Sequence, residues 1–559
     1  MKRRSFLLGS GAAGIAATTA AGFWRWQEIA PRVLYPGRDI GHRLRDLKPS
    51  DWPAPSAEYT TDVAIVGSGI AGLTAAWRLA REGHTRFALV TGPETHGNAA
   101  SGSITIGDER LRYPTGAHYL PLPSMESMHV RTMLADFGVI LDGANTMTPT
   151  YDERVVVHAP DERLFRDGRW QEGLVPGEGA SDDPQTTRLS AKRVPVAEGS
   201  AIDRFFRYID IVREAKGVDG RKAFAIPIAF ASADPQWTAL DGIPFAAWLA
   251  RERYDDPALL WYLDYCCRDD YGANAADVSA WAGLHYFAAR NGQARNADRG
   301  AVLTWPEGLD AMAGFLDGGA FKPQKGRAAP LRFDGTALSI RETGNGVDVL
   351  CATFNGTGIA TYVIHAKRVI SAMPLFVARH VVASLVGERH AATHVAPWLV
   401  ANFAMNRCPE EAEGATLAWD NVLFGSGGLG YVVSTHQQIR VAPSASTVFT
   451  AYRTMADRSP DDARRWMDRA SASEIGTLAS EELRKVYGWR FAPCVERVDI
   501  TMRGHAMASP TPGTLLDPTL RALRDSDGRV LYAHADLSGY SVFEEAAWWG
   551  WRAAERILG

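Results

Sequence analysis

Cysteine is scarce in this 559-residue chain: there are five, none in a CxxC pair and none at zinc-ligand spacing. That scarcity excludes a disulfide-stapled scaffold, so stability must come from a large core. Adjacent Cys266 and Cys267 read as two small buried side chains rather than a strained disulfide. No HExxH or comparable ligand pattern occurs, which predicts no metal. Neither sign of charge is in excess, with 60 basic and 64 acidic residues for a net charge of -4. There is no basic field for nucleic acid and no acidic tail. Past the first thirty residues, no run reaches the roughly 18 apolar residues of a spanning helix. Any membrane contact is therefore expected through the N-terminal segment alone.

The remaining composition, 46% apolar and 22% charged, is that of a soluble globular protein. The length predicts two or more domains of about 100–200 residues each. Seventeen Trp and seventeen Tyr suit aromatic-lined pockets as well as ordinary core packing.

The chain opens Met1-Lys2-Arg3-Arg4-Ser5-Phe6-Leu7-Leu8, followed by an Ala-, Gly- and Thr-rich stretch through Gly22. A basic n-region before a weakly hydrophobic h-region is a targeting segment. Its Arg-Arg-x-Phe-Leu order resembles a twin-arginine export signal, which implies passage of a folded, cofactor-loaded protein through the twin-arginine machinery to the periplasm. No Ala-x-Ala cleavage site follows, so residues 1–30 are either cut elsewhere or kept as an anchor.

The strongest motif begins at Thr61. Val63 to Val66 form a short apolar run, as in a buried parallel strand, and Gly67-Ser68-Gly69-Ile70-Ala71-Gly72 follows as GxGxxG. Ala75, Ala76, Leu79 and Ala80 then recur at helical spacing. In this strand–turn–helix setting Gly67 permits the tight turn. Gly69 lets the backbone approach a pyrophosphate, and Gly72 lets helix and strand pack closely. The phosphates would sit at the helix N-terminus, on free N–H groups and the positive end of the dipole. Phe87 to Val90 form the second strand. The acid expected for the ribose, roughly 20 residues past the fingerprint, is replaced by Thr91 and Gly92. Glu94 lies just beyond, so either Glu94 swings back or Thr91 and backbone groups hold the ribose.

After the second strand come His96-Gly97-Asn98-Ala99-Ala100-Ser101 and a hairpin-like stretch into Tyr113-Pro114-Thr115-Gly116-Ala117-His118-Tyr119. Far downstream lie Ala366 to Pro374, and then Tyr532-Ala533-His534-Ala535-Asp536 ahead of Phe543-Glu544-Glu545. These pieces, over about 57–120, 330–380 and 525–559, resemble the flavin-containing amine oxidase superfamily. That superfamily includes monoamine and polyamine oxidases, L-amino-acid oxidases, protoporphyrinogen oxidase and phytoene desaturases. The resemblance implies non-covalent FAD. Gly67, Ser68, Gly69, Ala71, Gly72, Glu94, Gly97, Asn98 and Ser101 would line its dinucleotide part. Gly116, Ala117 and His118 would pass near the flavin, Asp536 would hold the ribityl chain, and a helix starting at Phe543 would point at the pyrimidine ring.

The fold expected is α/β: a Rossmann-like FAD-binding domain with a parallel sheet and an inserted α+β substrate domain. Residues 57–120, 330–380 and 521–559 would build the FAD part. Residues 121–329, mostly helical, and 381–520, mostly strands, would build the substrate part. Leu331 to Leu350 reads as two short strands, Leu259–Gly272 and Trp281–Arg290 as helices, and Gly430–Gln437 as strand.

Two departures bear on chemistry. Many family oxidases carry a lysine on the strand at Pro397–Phe403 that assists reoxidation by oxygen; here Asn402 is the nearest polar residue. The flavin-facing tyrosine before the C-terminal Glu is replaced by Val542, with Tyr540 close but out of register. The reading is an FAD-dependent oxidoreductase that passes a hydride from a substrate C–H, an amine or amino acid, to flavin N5. Oxygen or another acceptor would then take the electrons. His118, Tyr540, His436 and His505 are the candidate catalytic groups, the histidines because imidazole titrates near neutrality. A desaturase- or isomerase-like enzyme on an apolar substrate, or a non-catalytic FAD-stabilised export factor, are the alternatives.

Overall fold

A computed structural model describes residues 29–176, 197–356, 358–386, 394–438 and 445–559. The expected export signal lies, through residue 28, outside the described residues.

Residues Glu58–Val66, with Val63 to Val66 fully buried, form the fingerprint strand at the heart of a seven-stranded sheet. Phe87–Val90 lies parallel on one side of it and Gly358–Ser371 parallel on the other. Leu331–Phe333 extends one edge in parallel. The last three residues of the Gly358–Ser371 strand take Val530–Tyr532 as a parallel neighbour, and its earlier part pairs with Val347–Asn355 in an antiparallel meander completed by Thr336–Glu342. The stretch 331–355 is thus three strands where sequence pattern suggests two. The break at Asp334-Gly335 separates them, Gly335 having φ +127°.

The fingerprint helix Ile70–Arg81 packs against Asp310–Ala320 and the C-terminal helix Phe543–Leu558. The approach to the C-terminal helix is close enough that a Cβ on Gly550 would stand 2.1 Å from the Ala71 carbonyl oxygen. Helix Met128–Asp136, inside the stretch expected to belong to the substrate part, shares this core through Val130, Met133 and Leu134.

The second sheet has eight strands in the order Arg32–Leu34, Val495–Ala508, Val395–Met405, Thr447–Thr454, Tyr431–Val433, Asp420–Leu423, Glu162–Arg166, Arg169–Glu172. Side chains alternate along Val395–Met405 as the pleat requires. Leu399, Ala401, Phe403 and Met405 pack under the helices of 460–487, whereas Ala396, Trp398 and Val400 join the core shared with helices Pro257–Tyr271 and Ala280–Ala288. Helix Pro257–Tyr271 starts on Asp256, whose carboxylate accepts the Leu259 N–H, and closes on Gly272 at φ +64°. The edge strand Arg32–Leu34 lies parallel to Asp499–Thr501, a pairing that three isolated residues could not announce. The expected strand around Gly430–Gln437 is shorter, ending at Val433, and His436 falls in the turn beyond.

Candidate functional site

The parallel strands end along one rim, and the glycines there divide by what surrounds them. Gly67 sits at φ +112°, and a Cβ on it would stand 2.8 Å from the Ala372 carbonyl oxygen. On Gly72 a Cβ would stand 1.9 Å from the Gly67 carbonyl oxygen. Packing alone demands both. Gly69 is different, because a Cβ there would meet nothing within 4 Å. Its lack of a side chain keeps a hollow open at the start of helix Ile70–Arg81, which no side chain caps. Ser68 is turned inward, its Oγ donating to the Thr91 carbonyl at 2.7 Å.

A second loop faces this hollow. The His96 N–H donates to the Ser68 carbonyl, and the Cβ position of Gly97 is 3.7 Å from the Gly69 Cα. The Ala117 N–H donates to the Asn98 carbonyl, which ties the 116–118 segment to that loop; Gly116 leaves no room for a Cβ against the same oxygen. Ser101 donates to Asp310 at 2.6 Å, and Asp310 also pairs with His96 and Arg112. At the other end of the rim, buried Asp536 accepts the Leu375 N–H at 2.8 Å. Burial raises this carboxyl, but His534 and the Leu375 N–H hold it below the usual carboxylate range, so it is an anion. Ala372 follows the strand that pairs with Val530–Tyr532, so Gly67 and Asp536 belong to the same rim. Phe543 opens the C-terminal helix with no side-chain cap.

Glu94 departs from expectation. Both its oxygens accept from Arg503, at 2.7 Å each, which draws the side chain toward the second sheet and leaves only their remaining lone pairs for a ribose. Arg503 comes from the second sheet and also donates to the Thr115 carbonyl and to Asn98. It had no sequence signal, being one arginine in a long strand.

Beyond the 116–118 segment opens a cavity of about 210 Å³. His118 forms part of its wall, stacked on Tyr452 with ring centroids 4.5 Å apart and Trp419 at 5.6 Å. The Tyr452 hydroxyl donates to the Gly116 carbonyl at 3.1 Å, which joins the aromatic wall to the flavin-side segment. Burial pushes His118 down to about 3, so the imidazole is neutral. Of the four candidate catalytic groups, His118 alone lines this cavity. His436 donates from Nε2 to the His158 carbonyl, 2.7 Å away, and stacks on His158. His505 stacks on Phe376 at 4.6 Å. Tyr540 is buried among Tyr271, Trp281 and His285. The structure does not bring the four together: the strand carrying His505 and the turn carrying His436 present them elsewhere.

The cavity instead gathers carboxylates. Asp269 stands in the last turn of helix Pro257–Tyr271, where the negative end of the helix dipole disfavours it. Asp420 and Glu162 are register partners on neighbouring parallel strands, and both face the cavity. Neighbouring like charges of this kind are destabilising. Asp270, beside Asp269, is satisfied by Arg290 at 2.6 Å. Among the described residues, no cationic side chain pairs with Asp269 or Asp420. Burial, then the charge of Asp270, pushes Asp269 up to about 7. Burial and the charge of Asp269 push Asp420 up as well. The sequence signal for Asp269 was an acidic pair just before a helix-closing glycine.

A family model described as flavin containing amine oxidoreductase matches residues 232–558, and one described as NAD(P)-binding Rossmann-like domain matches residues 65–137. The chain belongs to the flavin containing amine oxidoreductase family. It is an FAD-dependent, amine oxidase-like oxidoreductase with a Rossmann-like FAD fold. Among solved structures, wild-type putrescine oxidase bound to putrescine is 17% identical, with 90% of this chain and 99% of that chain covered and a TM-score of 0.59. Cyclohexylamine oxidase from Brevibacterium oxydans is 16% identical, covering 89% and 98%, with a TM-score of 0.56. At such identities the likeness is one of fold. The tRNA 5-methylaminomethyl-2-thiouridine biosynthesis bifunctional protein MnmC of Acinetobacter baylyi is 35% identical over 92 residues, a stretch spanning 14% of this chain and 14% of that protein.

This family member's rim suits FAD. The hollow at Gly69 would admit a pyrophosphate against uncapped N–H groups beside Gly97, Gly116 and Ala117 lead to the cavity wall, and Asp536 would offer an anionic acceptor for ribityl hydroxyls, whereas the Asn98 amide is engaged by the Ala506 carbonyl and Arg503.

Proposed function

We propose that the chain oxidises a cationic amine at the carbon next to nitrogen. The observation that carries this is the pair Asp269 and Asp420, two carboxylates without a cationic partner in an aromatic-walled cavity. That wall is hydrogen-bonded to the Gly116 segment. Carboxylates held out of bulk water call for a cation, and Tyr, Trp and His rings add favourable faces for one. An apolar desaturase substrate would leave both acidic groups facing hydrocarbon. Asp420 and Asp269 on one cavity wall suit a substrate with more than one ammonium, in keeping with the putrescine bound to the putrescine oxidase neighbour.

Bound FAD supplies the two-electron acceptor for the hydride. The residues of this chain bind and orient: the carboxylates anchor the ammonium, and His118, Tyr452 and Trp419 confine the carbon chain. Asn402 does not stand in for the missing lysine, because its amide donates to the Pro114 carbonyl and accepts from Thr450. Electrons then leave to oxygen or to another acceptor. We also propose export to the periplasm, supported by the Arg3-Arg4 signal and by a cofactor that must be loaded before translocation.

Anaerobic titration with a panel of mono- and diamines tests the substrate class. Bleaching of the flavin absorbance by a diamine, and none by its uncharged diol counterpart, is expected. If no amine bleaches the flavin, the reading fails.

A further inference from the structure

We propose that Asp269 is the base that takes the substrate's ammonium proton before oxidation. This rests on the amine reading above. An amine enters a carboxylate-lined cavity as a cation, since alkylammonium groups titrate near 10. With all four valences used, an ammonium nitrogen has no lone pair to support departure of hydride from the adjacent carbon. One N–H bond must therefore break, the electron pair staying on nitrogen and the proton forming an O–H bond on the acceptor.

Beside its carboxylates, of which Glu162 is engaged in an interaction of its own, the cavity wall offers few acceptors. His118 is a weak base there, held neutral by burial. Burial raises the phenols of Tyr119, Tyr265, Tyr286 and Tyr452, so they remain protonated and can only donate. Asp270 is engaged bidentately by one nitrogen of Arg290. Asp269 is accessible from the cavity, and the Tyr119 hydroxyl approaches one of its oxygens at 3.5 Å.

The surroundings also balance charge. Asp270 and Arg290 neutralise each other, so Asp269 leaves the group at net minus one, matched by one ammonium. After transfer, a neutral acid faces a neutral amine. Neither state strands an uncompensated charge in a site poor in water. Burial and Asp270 raise Asp269; Arg290, Tyr119 and Arg268 oppose them, and the outcome near 7 suits a base at neutral pH. Asp420, on the same cavity wall, is raised by burial and by Asp269, so it stays protonated and adds no charge to this balance until a second ammonium sits against it, where it serves as the second anchor.

The test compares wild type with Asp269→Asn, Asp269→Glu and Asp420→Asn, all checked for retained flavin absorbance. The readout is the pH profile of kcat/KM for an amine that bleaches the wild-type flavin. A base must be ionised, so wild-type activity should fall as pH drops through about 7. In Asp269→Asn that limb should vanish. Activity at neutral pH should drop at least tenfold and climb about tenfold per pH unit with the free-amine fraction. Asp269→Glu should restore a limb. Asp420→Asn should raise KM and keep the limb. A wild-type limb that persists unchanged in Asp269→Asn overturns the base assignment while leaving the amine reading intact. A wild type bleached by no amine overturns both.

Discussion

Arg503 holds both carboxylate oxygens of Glu94 at 2.7 Å, bridging the second sheet to the loop that faces the hollow at Gly69. The same guanidinium donates to the Thr115 carbonyl, so one side chain fixes both that loop and the 115–118 segment that leads to the cavity. The pair is largely shielded, with side-chain exposures of 8% and 21%. Breaking it therefore lies between the cost of a surface pair and that of a buried one, about 2 kcal/mol. Arg503→Met should lower the urea midpoint accordingly and weaken FAD binding in a flavin-fluorescence titration. Arg503→Lys should not rescue it, because an ammonium cannot form the two-pronged contact.

The two fingerprint glycines should respond differently. Gly69→Ala places its methyl in open space and should leave the apoprotein's thermal midpoint unchanged, while FAD affinity falls. Gly69→Asp should abolish yellow colour by setting a carboxylate against the pyrophosphate. Gly72→Ala drives a Cβ to 1.9 Å from the Gly67 carbonyl oxygen and should destabilise the fold itself, visible as a lower midpoint even without cofactor.

Asp420→Asn removes an anchoring charge without changing side-chain size. Binding of a non-oxidisable diammonium inhibitor should weaken about tenfold, or ~1.4 kcal/mol. Binding of a neutral isostere should hold or improve. Equal losses for both would count against charge recognition at this wall.

Glu545 makes stability depend on pH. Its oxygens accept the Ile228 N–H at 2.6 Å and the Ser538 hydroxyl, yet burial lifts its carboxyl to about 7. An unfolded glutamate titrates near 4.3. Between these values the folded state holds the proton and the unfolded state does not. The stabilisation is thus complete below about 4.3 and is lost as pH rises through about 7. Glu545→Gln should flatten this part of the curve, a change on the order of 2–3 kcal/mol between pH 4.5 and 8 in urea unfolding.

Local pattern carried the nucleotide half of the molecule. An apolar four-residue strand, three spaced glycines and a small-residue helix read as one unit because they adjoin in the chain: Gly72 meets Gly67 and Gly69 guards the hollow at its own helix, although the Ala372 carbonyl that Gly67 meets comes from far downstream. The return strand and Asp536 were legible by resemblance, and the helix 257–271 by its Asp-Pro start and Gly stop.

The substrate side was not legible in that way. His436, His505 and Tyr540 carry attractive chemistry, but a strand's register and a turn's direction send them to other surroundings. Asp269, Asp420 and Glu162 meet across a helix end and two parallel strands more than 100 residues apart in the chain. No periodicity records such a meeting. By itself the sequence determined the fingerprint strand, turn and helix, because their geometry is written in backbone demands over adjacent residues. Only the tertiary structure decided what faces the cavity, because a carboxylate's role there depends on which charges lie across the gap and how much water is shut out.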